Sequence, residues 1–134
     1  MTEGQLRDFV GIRPPLPYLA SPDAQLPLGL CYVVAAARDC GYDAVTFDGA
    51  RQTAGRVAER VPPAHVYGLT ATAVDYPEAE RVARELREAT PDAAIILGGP
   101  VQTAANYVDF QVFDCLVKGC ADGDIDHILD RAAS

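Results

Sequence analysis

Ala93-Ala94-Ile95-Ile96-Leu97-Gly98-Gly99-Pro100 is a short, continuous apolar run that stops on two glycines and a proline. Such a run reads as a strand buried on both faces, ending where backbone must come close to another group. The carboxyl ends of parallel strands are where open α/β sheets bind ligands. A tight strand-to-helix turn with no ligand leaves the same trace, so the flanking segments have to separate the two.

Upstream, Asp75 is placed to cap a helix with Pro77 in its first turn and Ala79, Val82, Ala83 and Leu86 as the buried stripe. Before it, residues 65–70 (HVYGLT) read as a strand bounded by Pro62-Pro63. Residues 51–61 carry Ala54, Val57, Ala58 and Val61 at helical spacing, weakened by Gly55. Residues 42–48 (YDAVTFD) are a β-branched and aromatic strand. Residues 28–40 form a helix opened by Pro27 and closed by Gly41, with Leu30, Val33, Val34 and Ala37 on one face. Phe9-Val10-Gly11-Ile12 is a short first strand. Between it and the helix, residues 13–27 hold five prolines, which makes a long, stiff, non-helical loop of the functional kind.

Downstream of the two glycines, residues 102–107 predict a short helix and residues 112–118 contain a last strand. Residues 124–133 predict a last helix with Ile125, Ile128, Leu129 and Ala132 on one face. Strand then helix recurs five times. Parallel neighbours need right-handed crossovers, so the expected fold is α/β: one Rossmann-like, flavodoxin-like, doubly wound parallel sheet of five strands in the order 2-1-3-4-5. The whole chain, 1–134, reads as a single domain.

Bulk chemistry excludes several partners. The net charge is −8 and Lys118 is the one lysine, so a nucleic-acid backbone is not the expected partner. The longest uncharged apolar run, residues 28–37, is short of the roughly 20 residues that span a bilayer. The first residues lack the basic and apolar regions of a secretory leader, which predicts a cytoplasmic protein with reduced thiols. Cys31 and Cys115, inside apolar stretches, are expected in the core, and Cys120 in a loop. No cysteine spacing matches a zinc or iron–sulfur site.

The loops expected at the carboxyl edge are residues 13–27, Thr70-Ala71-Thr72, Gly98-Gly99-Pro100 and Gly119-Cys120-Ala121-Asp122. They are small, backbone-rich and poor in charge, which suits a bulky, largely apolar ligand held by shape and a few hydrogen bonds. A phospho-acceptor aspartate is missing at the end of the third strand, although Lys118 sits where a receiver domain keeps its lysine. Proline occupies the loop where a dinucleotide fold needs its glycine fingerprint. His65 and His127 are the only histidines, both read as solvated, and no catalytic acid, base or triad is assigned. Tyr18 and Tyr76 could flank the site, where packing is the simpler role for each.

Pro27-Leu28-Gly29-Leu30 leading into a helix, Gly68-Leu69-Thr70 with Thr72 ahead of Tyr76-Pro77, Leu97-Gly98-Gly99-Pro100, and residues 114–119 follow one another in a familiar order. Over about residues 9–129 they resemble the cobalamin (vitamin B12)-binding domain at the amino end of many cobalamin-dependent radical SAM enzymes. Thr70-Ala71-Thr72 matches the family's Ser-x-Leu position and Gly98-Gly99 its Gly-Gly. The resemblance implies that these line the slot for the dimethylbenzimidazole nucleotide tail. It extends the cofactor-binding set to Tyr18, Leu28, Pro100, Val101, Gly119 and Cys120 on the surrounding loops.

Departures from the pattern refine that expectation. The Asp-x-His-x-x-Gly motif of the histidine-ligated relatives is absent, which implies cobalamin bound base-off, without a protein histidine ligand. Gly119-Cys120-Ala121-Asp122 replaces the usual Gly-Glu-Gly-Glu. The Cys-x-x-x-Cys-x-x-Cys of a radical SAM catalytic domain is missing, so methyl-transfer chemistry would need a radical SAM or methyltransferase partner protein. Two alternatives stay open: a ligand-free domain of this fold serving as a protein-interaction module, and flavin or nucleotide binding on the same sheet.

Overall fold

The computed structural model describes residues 6–17, 28–72, 74–99, 108–117 and 124–133. Strands β1 (Arg7–Arg13), β2 (Ala44–Asp48), β3 (Ala64–Thr70), β4 (Ala94–Gly98) and β5 (Cys115–Leu116) form one parallel sheet in the order β2-β1-β3-β4-β5. Between and after them run α1 (Leu28–Asp39), α2 (Ala54–Arg60), α3 (Tyr76–Ala89) and α4 (Ile125–Ala133). This is the doubly wound, flavodoxin-like order expected from the alternation of strands and helices. The short helix expected over residues 102–107 lies outside the described residues.

Side chains alternate across a strand, so each central strand supplies two cores. Val10, Ile12, Tyr67, Leu69, Ile95 and Leu97 pack on one face with Val57 of α2 and Ala79, Val82, Ala83 and Leu86 of α3. Phe9, Val66 and Ile96, of opposite parity, pack on the other with Val34 and Ala37 of α1 and Ile125 and Leu129 of α4. Ile95-Ile96-Leu97 is continuously apolar for this reason.

The ends of α1 and α3 show local chemistry at work. Past α1, Gly41 adopts φ +94°, its N–H bonds to the Arg38 carbonyl (2.9 Å), and the Tyr42 N–H reaches the Ala37 carbonyl (3.1 Å). That is a Schellman stop, which needs the glycine. Asp75 was expected to cap α3 with its side chain, and it makes no such bond. Instead the Thr72 Oγ1 accepts the Asp75 N–H (3.2 Å) and the Asp75 Oδ2 accepts the Thr72 N–H (3.3 Å). This reciprocal box winds the chain one turn before the helix proper.

The last strand, Cys115–Leu116, lies within the expected residues 112–118; ahead of it Val112 and Phe113 both bond through their N–H to the Asp109 carbonyl, and Phe113 enters the core. One expectation, on the cysteines, is corrected. Cys31 and Cys115 are exposed rather than core residues. On α1, Cys31 shares its side with Ala35 and Arg38, both exposed, and not with Leu30, Val34 and Ala37. Cys115 stands on the outermost strand, paired on one side only, with Ile96.

Tyr76 ties α3 to the segment before β5. It is 7% exposed, stacks at a tilt on Phe113 (5.9 Å between centroids), donates to Glu80 Oε1 (2.8 Å) and accepts the Asp109 N–H (2.7 Å). Burial, reinforced by the Glu80 carboxylate and opposed by the Asp109 N–H, pushes its phenol up to about 12. In the same wall, Asp114 Oδ2 accepts from the Ile95 N–H (2.7 Å) and from Arg87 (2.9 Å).

Three measurements check this packing. The folded chain keeps the Tyr76 proton above the ordinary phenol value of 10.0, so its contribution to stability is complete below that pH and is lost as pH rises towards about 12. Tyr76→Phe should therefore flatten the loss of stability over that window and remove the last phenolate step from an absorbance titration. A Cβ at Gly49 would lie 2.8 Å from the Arg13 carbonyl oxygen and 2.6 Å from Val57 Cγ2. Gly49→Ala should cost about 1–3 kcal/mol in urea denaturation. Gly55, in α2 with no atom within 4 Å of such a Cβ, should tolerate alanine with a gain of about 0.5–1 kcal/mol.

Candidate functional site

The carboxyl edge of the sheet collects the ends of β1, β2, β3 and β4: Arg13, Asp48, Thr70 and Gly98. At its β1–β2 side, Arg13 and Asp48 are register partners. The Arg13 guanidinium donates through Nε to Asp48 Oδ1 (2.9 Å) and through Nη2 to Oδ2 (2.8 Å), a two-pronged bond from an arginine only 8% exposed. Asp48 Oδ1 also takes the Ala50 N–H (3.0 Å). The Gly49 N–H bonds to the Arg13 carbonyl (2.8 Å) and the Leu16 N–H to the Ala50 carbonyl (3.1 Å). The proline-rich segment thus leaves the sheet on a fixed course, held to the β2–α2 turn.

Arg13 and Asp48 were not among the residues singled out from the sequence. Each lies at the end of its strand, beside Pro14-Pro15 and Gly49 respectively. Their partnership becomes visible only once β1 and β2 are known to be neighbours in register.

At the β3–β4 side, Thr70 and Gly98 are register partners, and the Ala71 N–H bonds to the Gly98 carbonyl (3.1 Å). The two glycines differ in role. Gly99 has φ +92°, and a Cβ there would lie 2.6 Å from Thr70 Oγ1 and 3.0 Å from the Ala71 carbonyl oxygen. It is glycine because the turn closes against Thr70-Ala71. A Cβ on Gly98 would meet nothing nearer among the described residues than Val117 Cβ at 3.9 Å. Gly98 has no positive φ, so backbone strain is not what glycine relieves there.

By strand parity Thr70 and Gly98 face the α1/α4 side, as Gly68 and Gly11 do one step further in. Gly11 and Gly68 are partners across β1 and β3. Side chains cover both: Leu30 Cδ1 lies 2.8 Å from the position of a Cβ on Gly11, and Phe9 Cε1 lies 2.6 Å from that on Gly68. On this face the sheet is bare backbone beneath packed side chains, and at the edge, where Thr70 stands beside Gly98, it ends in a mouth between a hydroxyl and bare backbone.

Of the residues expected in the site, Thr70, Ala71, Gly98 and Gly99 converge at this mouth. Thr72 stands just beyond it, exposed and engaged with Asp75, whose Oδ1 is buried without a hydrogen-bond partner among the described residues. Leu28 is the first residue of α1, and its side chain lies outside the described part. Tyr18, Pro100, Val101, Gly119 and Cys120 also lie outside the described residues. Tyr76 packs as described above rather than facing the edge.

Other features are elsewhere. His65, second in β3, and His127, on α4, are exposed, in keeping with solvated roles. Three phenols are held above their ordinary value. Besides Tyr76 these are Tyr42, chiefly through its hydrogen bond to Asp126, and Tyr67, chiefly through burial. An open groove of about 1060 Å³ follows the outer side of the sheet, lined by Ala94, Ile96, Cys115, Val117, His127 and Ile128. It starts at the amino end of β4 and runs to Val117, whose Cβ lies 3.9 Å from the place of a Cβ on Gly98. Among the described residues no group of His, Cys, Asp and Glu could hold a metal ion, and no helix is long and apolar enough to cross a membrane.

Comparison with known proteins bears on the fold and on the family. The RcsB response regulator of Salmonella typhimurium, solved in a study of conformational dynamism for DNA interaction, superposes with a TM-score of 0.56 at 12% identity. The match covers 94% of this chain and 59% of that one, and at this identity it speaks for the fold alone. No curated protein matches the sequence. The family model of the B12 binding domain matches residues 21–128, most of the chain and all of the β3 and β4 ends. The chain accordingly belongs to the B12-binding domain family.

Proposed function

We propose that the protein holds cobalamin base-off at the carboxyl edge of the sheet, with no histidine of its own on the cobalt. The observation that carries this reading is the convergence of Thr70, Ala71, Gly98 and Gly99 where β3 and β4 end, with Thr70 Oγ1 2.6 Å from the place of a Cβ on Gly99 and no described atom nearer than 3.9 Å to that of a Cβ on Gly98. A flat, mostly apolar base suits such a place: backbone without Cβ lets a ring lie close, and a threonine hydroxyl can donate to a ring nitrogen or accept from an amide. At the strand ends the residues present fit a flat base, and the side chains behind them set how deep it can go.

The absence of a ligating histidine rests on the chain's two histidines. His65 lies five residues before Thr70 along β3, about 16 Å at strand rise, at the far end of the sheet. His127 sits on α4 among Asp124, Asp126 and Asp130. The loop after β1 contains none.

Bound cobalamin supplies a cobalt centre able to carry a methyl group. The chain's own residues bind and orient. The Arg13–Asp48 pair fixes the strand ends and the chain as far as Leu16 on one side of the edge, and the Thr72–Asp75 box with the Gly99 turn fixes the other. No described group is placed to act as acid or base on a substrate, which supports a carrier working with a radical SAM or methyltransferase partner protein. The free thiols Cys31, Cys40 and Cys115 suit a reducing, cytoplasmic setting.

The test is an absorption spectrum of the desalted protein after incubation with hydroxo- or methylcobalamin, with flavin mononucleotide as control. The expected result is corrin absorbance retained in base-off form and no flavin. Gly98→Leu should weaken retention by about tenfold or more with an unchanged circular dichroism spectrum. Gly98 is the residue to change, because Gly99→Leu would strain a turn at φ +92°. Retained flavin alone, or undiminished cobalamin retention by Gly98→Leu, contradicts the assignment.

A further inference from the structure

From the packing of Phe9 on Gly68, and resting on the cobalamin reading above, we infer that the Phe9 ring is the floor of the tail slot and selects corrinoids by the size of their lower base. Phe9 is 1% exposed, on the α1/α4 face of β1. Its own cross-strand partner is Val66, yet its ring reaches past it towards the carboxyl edge and lies over Gly68, with Cε1 and Cζ 2.6 and 2.8 Å from where a Cβ would stand. Ile96 closes the same level from β4, its Cγ1 3.6 Å from that position.

The depth of the slot follows from strand geometry. Thr70 and Gly98 mark the mouth, and Gly68 and Ile96 are one pleat further in, two residues or about 6.6 Å along the strands. A base entering between sheet and helices therefore meets the edge of the Phe9 ring after the length of one six-membered ring. Two fused rings need more than that, and the ring has to yield for them. Leu30 and Val34 of α1 lie over the adjacent Gly11, so a sideways detour towards β1 is closed as well.

Phe9 is thus a specificity-determining residue. Its position favours a corrinoid with a single-ring phenolic base, or with no base at all, over one carrying a bicyclic base such as dimethylbenzimidazole. A phenol has no nitrogen to ligate cobalt, so such a corrinoid is base-off before it binds, which agrees with a chain that offers no histidine near the edge.

Spectroscopic titration of the full chain and of Phe9→Leu with three corrinoids tests this: cobalamin, a phenolyl cobamide, and cobinamide, which lacks the nucleotide tail. For the wild type the phenolyl cobamide should bind about tenfold more tightly than cobalamin. Phe9→Leu should erase that preference by strengthening cobalamin binding, with cobinamide unchanged. A phenolyl cobamide has no cobalt–nitrogen bond to break and gains on cobalamin without any help from Phe9, so the variant is the deciding arm, and Phe9→Met replaces Phe9→Leu if the latter is poorly folded by circular dichroism. Equal wild-type affinities for the two tailed corrinoids, or a preference that survives in folded Phe9→Leu, overturns the role of Phe9 and leaves the cobalamin reading in place. Failure of all three to bind overturns that reading, and the inference with it.

Discussion

Every central strand of this sheet has helices on both faces, and its side chains must therefore fill two separate cores at once. That constraint shapes the rest of the molecule. On β3, Tyr67 and Leu69 serve the α2/α3 core while Val66 serves the α1/α4 core, and β1 and β4 divide in the same way. Where the alternation is broken by glycine, the gap is on the α1/α4 face each time: Gly11, Gly68 and Gly98. One face is closed by side chains along its whole length. The other is rich in glycine towards the carboxyl edge, with Leu30, Val34 and Phe9 packed over Gly11 and Gly68.

The edge around that glycine-rich face is held by polar contacts at each strand end. Arg13 and Asp48 join β1 and β2 by a two-pronged ion pair with Arg13 nearly buried, and the neighbouring N–H groups of Gly49, Ala50 and Leu16 complete the joint. Buried charge is tolerated there because both partners and the surrounding backbone are satisfied. On β3 and β4, the Ala71 bond to the Gly98 carbonyl and the contact of Gly99 with Thr70 play the equivalent part without charge. A rigid rim of small groups results. Such a rim is in keeping with the proposal of a large ligand held by shape.

At the far margin, β5 is short because its approach is occupied by other work. Tyr76, Asp109 and Phe113 lock α3 to the segment before β5, and Asp114 ties that segment to β4 and Arg87. Only Cys115 and Leu116 remain to pair with β4. The outer groove exists because α4 packs towards α1 and leaves this edge strand partly uncovered.

The sequence by itself determined the winding of the fold. Apolar runs such as Ile95-Ile96-Leu97, the helical stripes, the proline punctuation and Gly41 act through local geometry or through the period of burial, both of which are written along the chain. It also brought Thr70, Ala71, Gly98 and Gly99 together at one edge, since parallel strands present their carboxyl ends on the same side. The tertiary structure alone decided what depends on neighbours distant in sequence. The Arg13–Asp48 pair, the separate reasons for Gly98 and Gly99, the exposure of Cys31 and Cys115, and the Phe9 ring over Gly68 all depend on register between strands or on which helix face turns outward. Periodicity specifies which side of a strand is apolar; only the packed partners specify whether the space above a glycine is open or already filled.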